Sequence, residues 1–319
     1  MGEIAIAMQE YLGDNERFAD LFNGIFFRGK QVFLPQQLSD SSEKYTVRRK
    51  GQKLTEECRD IKKILNNGTM LRVLSMEAQN YVDYMMPLRC MEYDVQEYLK
   101  QVKKLKKKHF KKKDCEGRHE WLSGIKKGDR LAPVYTVCLY HGEDEWDGPV
   151  KLSEMMDFGD DEDEMSSKFT DYPMRLYSLN EQDNFNQFHT DLKEVFQAFS
   201  CRKDREKLRQ LVQENEAFLQ MPEDAVEVMT KLLNWKELED NRAKYMKRDE
   251  EGKERYNMCK ALMDIKEEGM QEGMQEGILE KTKKVIENMI NKGFEEADIC
   301  QITECSHEFF DKVRREMTK

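Results

Sequence analysis

The chain has 319 residues, 36% of them charged, with 63 acidic against 53 basic side chains and a formal net charge of −10. That length holds one large core or two modest domains, and the acidic balance excludes capture of a polyanion by bulk charge, so such a partner needs a local basic patch or bound metal ions. Cysteines at 58, 90, 115, 138, 201, 259, 300 and 305 include no Cys-x-x-Cys pair, a pattern of reduced thiols rather than a disulfide framework. No apolar run approaches the ~18 residues of a membrane span, and the start Met1-Gly2-Glu3-Ile4-Ala5-Ile6 has neither a signal-peptide core nor a myristoylation pattern; a soluble cytoplasmic protein with no membrane partner is expected.

The first element is a helix over 15–27, where Phe18, Leu21, Phe22, Ile25 and Phe26 recur at helical spacing behind a capping Asp14 or Asn15. Residues 36–56 are polar and read as a loop. From Cys58 to Gln79 two runs rich in Ile, Leu, Val and Met flank Asn67-Gly68, the pair preferred by a two-residue type I′ hairpin turn. Counting outward from that turn sets Asn66 opposite Thr69 and Asp60 opposite Ser75, so Asp60, Glu77 and Gln79 share one sheet face. Asp60 and Glu77 then lie on a diagonal with Cα atoms roughly 7–8 Å apart, and two such carboxylates suit Mg²⁺, which takes one or two acids and keeps several waters. The alternative is a solvated strand edge on which the two acids pair with Arg59, Lys62 or Arg72.

A long helix starts near Met85-Met86-Pro87, with Leu88, Met91, Val95, Leu99, Val102 and Leu105 as its buried stripe and Arg89, Tyr93, Lys100, Lys104 and Lys107 on another side. It runs into the densest basic block of the chain, Lys103 to Lys113, which reads either as a solvated helix end complementing the macrodipole or as a phosphate-binding surface. Cys115 and His119 are four apart, but no second pair accompanies them, so zinc is not expected there. Residues 133–140 form a buried strand, 142–149 are turn-rich, and the acidic block 157–164 is a solvated loop lacking the ligand order of a calcium site. Residues 185–260 read as helical throughout, with Phe188, Leu192, Val195, Phe196 and Phe199 on one face.

Beyond 268 the sequence repeats every four residues, placing Gly269, Gly273 and Gly277 along one helical stripe. Each mid-helix glycine costs up to ~1 kcal/mol relative to alanine, which implies a hinge or, preferably, a seam for packing or self-association. Short helices follow, carrying Val285, Ile286, Met289, Ile290, Ile299, Ile302, Phe309, Phe310 and Val313. Their mixed charge fits an assembly module at least as well as a DNA-reading helix-turn-helix.

The segments NERFADLFN (15–23), CRDIKK (58–63), SMEAQNYVDYMMPLRCMEYD (75–94), PVYTVCLYHGEDEWDGP (133–149), MCKAL (258–262) and the EGMQEG tail together resemble the recombination-promoting nuclease/transposase family of the PD-(D/E)xK nuclease superfamily. The resemblance implies an α/β fold with a restriction-endonuclease-like αβββαβ core over 1–200, a helical extension over 201–267, and a glycine-repeat helix with a small helical module over 268–319. It also implies a Mg²⁺- or Mn²⁺-dependent DNA endonuclease of low sequence specificity, linked to recombination or mobile elements. Asp60 and Glu77 match the metal-binding acids, Gln79 stands where related enzymes carry lysine, and Asp20 matches a first-helix acid. Arg89, Tyr93, Lys100, Lys103, Lys104 and Lys107 would hold DNA phosphates, and the C-terminal helices would make a homo-oligomer. Two other readings stay open: an inactive DNA-binding or assembly protein that keeps the fold, and a strand-joining transposase.

Overall fold

The computed structural model describes residues 3–40, 59–76, 82–142 and 144–317. By compactness the chain divides into Met1–Met258 and Cys259–Lys319. The first unit opens with helices α1 (Glu3–Tyr11) and α2 (Asn15–Phe27), then strands β1 (Leu38–Asp40), β2 (Arg59–Leu65) and β3 (Met70–Met76). Helix α3 (Met86–Lys112) and the short α4 (Gly117–Ser123) lead to β4 (Val134–Tyr140), α5 (Glu162–Lys168) and β5 (Leu176–Ser178). The strands form one mixed sheet in chain order: β1, β2 and β3 pair antiparallel, while β4 and β5 join parallel through crossovers.

Asp14 caps α2 as its sequence implies, its Oδ1 accepting the Glu16 and Arg17 amides at 2.9 and 3.1 Å. Phe18 and Phe22 of α2 are buried, and Phe26 meets Tyr135 of β4 edge-on. On the same side of the sheet Tyr177 packs against Phe188 and Phe196, each buried phenyl contributing about 1.5–3 kcal/mol. Gly24 lets the chain come this close, since a Cβ there would stand 2.3 Å from Cε1 of Phe188. Helix α6 (Leu192–Ser200) carries the predicted apolar face, with Leu192, Val195, Phe196 and Phe199 buried. Arg17 locks the layer: its guanidinium bonds both oxygens of Asp191, at 2.7 and 2.8 Å, and also pairs with Asp224.

The hairpin exists, but its register differs from the counted one. Ile64 pairs with Met70, Lys62 with Arg72, and Asp60 with Leu74 rather than Ser75. The loop has three residues, Asn66-Asn67-Gly68, closed by hydrogen bonds from the Gly68 amide to Leu65 O (2.8 Å) and from the Leu65 amide to Thr69 O (2.9 Å), with Gly68 at φ +87°. A type I turn followed by a left-handed glycine accounts for this geometry, and Asn67 Oδ1 supports it by accepting the Thr69 amide at 3.0 Å. A one-residue offset exchanges the two faces of a strand, so face-sharing by Asp60, Glu77 and Gln79 does not follow from the turn.

Three further readings change. The stretch taken as loop from 36 contains β1, which extends the sheet by pairing Leu38 with Leu65 and Asp40 with Lys63. The acidic block ends in the exposed helix α5 rather than continuing as loop. After α7 (Arg205–Glu214), the segment expected to be helical throughout holds β6 (Met221–Pro222), α8 (Glu223–Leu232), α9 (Lys236–Asn241), β7 (Met246–Arg248) and β8 (Glu254–Tyr256), the three strands forming a small antiparallel sheet. Asp249 shapes the β7–β8 turn, its Oδ1 accepting the Glu251 and Lys253 amides at 3.0 and 2.9 Å. The compact division falls at 258/259, with α7, α8 and α9 in the same unit as the large sheet.

The second unit consists of most of α10 (Met258–Asn291) with α11 (Glu296–Thr303) and α12 (His307–Met317). Ile286, Ile299, Phe310 and Val313 form its core, flanked by Met289, Ile290 and Phe309. Lys283 pairs with Glu316 to join α10 to α12. The glycines of the repeat lie within the unbroken α10, and a Cβ on any of them would meet open space. Among the described residues no helix is long and apolar enough to cross a membrane.

Candidate nucleic-acid interface and metal ligands

Helix α3 lies on the sheet face opposite α2, and what fixes its rotation is a buried arginine. Arg72 of β3 is 1% exposed and aligns with Thr136 of β4. Its guanidinium stacks on the Tyr93 ring with 5.2 Å to the centroid, and its Nη1 is 3.7 Å from Asp94 Oδ1. Asp94 also accepts the Thr136 hydroxyl at 2.6 Å and the Tyr172 phenol at 2.7 Å. Burial, then the carboxylate, pushes the Tyr172 phenol far above its ordinary range. Farther along, Tyr98 Oη accepts the Val134 amide at 3.2 Å, and the Gln101 amide exchanges hydrogen bonds with the Ala132 backbone at 2.8 and 3.1 Å.

The inward stripe is therefore Met86, Cys90, Tyr93-Asp94, Glu97 and Gln101, rather than the expected apolar one. Val95 and Leu99 are 43% and 61% exposed. A buried guanidinium needs a carboxylate, and meeting that need outranks burial of two aliphatic side chains worth about 1.5–3 kcal/mol each.

This rotation sorts the expected DNA contacts. Arg89 is held by Asp83, Nη1 to Oδ2 at 2.5 Å, and Tyr93 faces the core beneath Arg72. Lys100 is half-buried, with Nζ 3.9 Å from Glu97 Oε2. Lys103, Lys104 and Lys107 are exposed, as are Lys106, Lys108 and Lys111 to Lys113. The solvent-facing basic surface is thus the last third of α3, while Arg89 and Tyr93 anchor its first half.

Comparison with family models, with curated proteins and with solved structures finds no match to this chain.

Of the expected metal ligands, Asp60 is the second residue of β2, and Glu77 and Gln79 lie outside the described residues. Asp20 is buried and committed on one side: its Oδ2 accepts the His189 amide, the Thr190 amide and the Thr190 hydroxyl at 2.8, 2.8 and 2.7 Å. It pins the turn that leads into α6. Among the described residues its buried Oδ1 has no hydrogen-bond partner.

Sequence reasoning missed a cluster at the end of α3. His109, in the last turn, is 4% exposed; its Nδ1 lies 2.7 Å from Asp114 Oδ1 and its Nε2 2.9 Å from Asp129 Oδ2. Hydrogen bonding to His109 holds the Asp114 carboxyl below its usual range; the Lys126 amide, and then His109, do the same for Asp129. Cys115 completes the group. Reading spacing alone paired Cys115 with His119; the left-handed residue Lys113, at φ 52°, instead turns the chain back toward His109. The seven described cysteines are all free thiols.

Proposed function

We propose that the protein is a divalent-metal-dependent DNA endonuclease with little sequence discrimination, of the recombination-promoting nuclease type that its segments resemble. The observation that carries this reading is the succession α2, β1, β2, β3, α3, β4, the αβββαβ order expected of a PD-(D/E)xK core, with strands neighbouring one another in chain order. In it α3 is both the crossover and the support of the exposed lysines from 103 to 113. Contacts of that kind grip phosphates without reading bases.

Asp60 and Glu77 would hold the cation, a pair of hard oxygen ligands suited to Mg²⁺ or Mn²⁺. Such an ion, when bound, supplies an activated water and stabilises charge on the scissile phosphate. Gln79 cannot take a proton at neutral pH; it orients water by hydrogen bonding. We place the enzyme in the cytoplasm as a homo-oligomer, supported by free thiols and by exposed Met270, Met274 and Ile278 beside the glycines of α10.

Nicking of supercoiled plasmid by the full chain with Mg²⁺, with Mn²⁺ and with EDTA tests the assignment. Cleavage should need the ion and be lost in Asp60→Ala and Glu77→Gln; equal activity in Asp60→Ala or in EDTA overturns it. One observation favours a second reading, binding without cleavage: Phe110 and Trp121, 86% and 75% exposed, stand among the lysines as stacking surfaces would. That reading predicts DNA retention dependent on the lysines and no cation-dependent nicking.

A further inference from the structure

We infer that His109, Asp114 and Cys115 form a transition-metal site of the zinc type, with Asp129 as the carboxylate that orients the histidine. The imidazole nitrogen, the carboxylate oxygen and the thiol sulfur lie within 4.8 Å of one another. The site uses neither Asp60 nor Glu77 and does not rest on the nuclease reading.

The histidine is set up as a ligand. A metal-bound imidazole usually donates its second ring N–H to a carboxylate, which fixes the tautomer and the ring plane. Asp129 stands in that position, 2.9 Å from Nε2, and is itself held by the Lys126 amide at 2.8 Å. Nδ1 is then left for the cation, on the side where Asp114 and Cys115 lie. Around tetrahedral zinc, N and O ligands at ~2.0–2.2 Å and S at ~2.3 Å are roughly 3.3–3.8 Å from each other. Binding therefore opens the 2.7 Å contact between Nδ1 and Asp114 Oδ1 and draws the thiol inward, each by about an ångström or less.

The backbone is ordered for this. His109 O accepts the Lys113 amide at 2.8 Å, and Lys126 Nζ donates to Asp114 O at 2.8 Å. Asp114 and Cys115 are half-exposed, which gives an entry path and leaves a fourth position for water. A thiolate, an imidazole and one carboxylate favour zinc over the hard ions Mg²⁺ and Ca²⁺. The rival arrangement is a doubly protonated ring clamped by two aspartates with no ion, and it makes no use of Cys115. The thiol is therefore what separates the two.

Full-length protein freed of metal by chelation is titrated with Co²⁺ and then with Zn²⁺. One equivalent of Co²⁺ should give the visible bands of tetrahedral cobalt with thiolate charge transfer, bleached by Zn²⁺. Cys115→Ser should abolish the charge-transfer band and weaken binding at least tenfold, while Asp129→Asn keeps the band and weakens binding about 10- to 100-fold. Asp60→Ala and the double variant Cys300→Ser/Cys305→Ser should bind as the parent does. Parent binding no tighter than that of Cys115→Ser, or a band that vanishes in the Cys300/Cys305 variant and persists in Cys115→Ser, overturns the site.

Discussion

Asp94→Ala should be among the most damaging single substitutions in the first unit. It removes the acceptor of two short hydrogen bonds, from Thr136 at 2.6 Å and Tyr172 at 2.7 Å, and a carboxylate 3.7 Å from a guanidinium that is 1% exposed. Breaking a buried ion pair from one side costs about 3–5 kcal/mol. Hydrogen bonds to a charged acceptor are worth about 1.5–3 kcal/mol each, which is the same loss counted bond by bond. A unit of this size loses about 2–4 °C in Tm per kcal/mol, so a fall of roughly 6–20 °C is expected. Thermal and urea unfolding of the full chain, followed by circular dichroism, measure it. The double variant Arg72→Met/Asp94→Leu should recover the part of the loss that comes from the guanidinium, while the Thr136 and Tyr172 hydroxyls still lack their acceptor. A single-variant cost below about 1 kcal/mol, or a double variant no better than the single, would refute the account of how α3 is oriented.

Three other measurements bear on the structure. Burial pushes the His141 imidazole down to about 4 from 6.5, so between those values the unfolded chain binds a proton that the native chain does not. Stability should be full above about pH 6.5 and fall by about 3 kcal/mol towards pH 4; a His141→Gln variant with the same acid limb as the parent contradicts this. Lys103→Gln, Lys107→Gln and Lys111→Gln together should lower the slope of log affinity for duplex DNA against log salt by about 2 to 3, at about 0.9 per lost phosphate contact, and an unchanged slope removes the proposed interface. Gly269→Ala/Gly273→Ala/Gly277→Ala should raise the helicity of α10 by up to ~1 kcal/mol per site while lowering the sedimentation coefficient; an oligomer that survives the change excludes a glycine seam.

What the sequence made legible was what is local. Asp14 and the apolar spacing behind it define α2, the β-branched run at 134–140 is the buried β4, and Ile286, Ile299, Phe310 and Val313 were readable as a small helical core. The hairpin was visible but not its register, because Asn66-Asn67-Gly68 closes equally well on paper as a loop of two residues or of three, and the left-handed glycine serves both. The face of α3 was misassigned for a tertiary reason: nothing near Leu99 reveals that Arg72, on a strand, is buried and requires Asp94. The strands of the small sheet are two or three residues long, too short for a periodic signal. At the candidate sites, exposure of the lysine block was readable, whereas capture of Arg89 by Asp83 and the approach of His109 to Cys115 depend on turns that only the folded chain supplies.

Lys63, next to the hairpin's central pair, bears on folding fidelity. It is 2% exposed, and its Nζ donates to Gly13 O at 2.6 Å and to Asp40 Oδ1 at 2.7 Å, on the side away from Arg72. Closing the hairpin on two residues instead of three would turn Lys63 away from Gly13 O and Asp40 Oδ1, to the place opposite Arg72 that Lys62 holds in the native pairing. The loss of those two acceptors falls on the misaligned isomer alone, so Gly13 O and Asp40 favour the three-residue closure through Lys63. An apolar residue in place of Lys63 would leave the finished fold tolerable while allowing the wrong closure to persist, and its signature would be a slow refolding phase rather than a lower melting point.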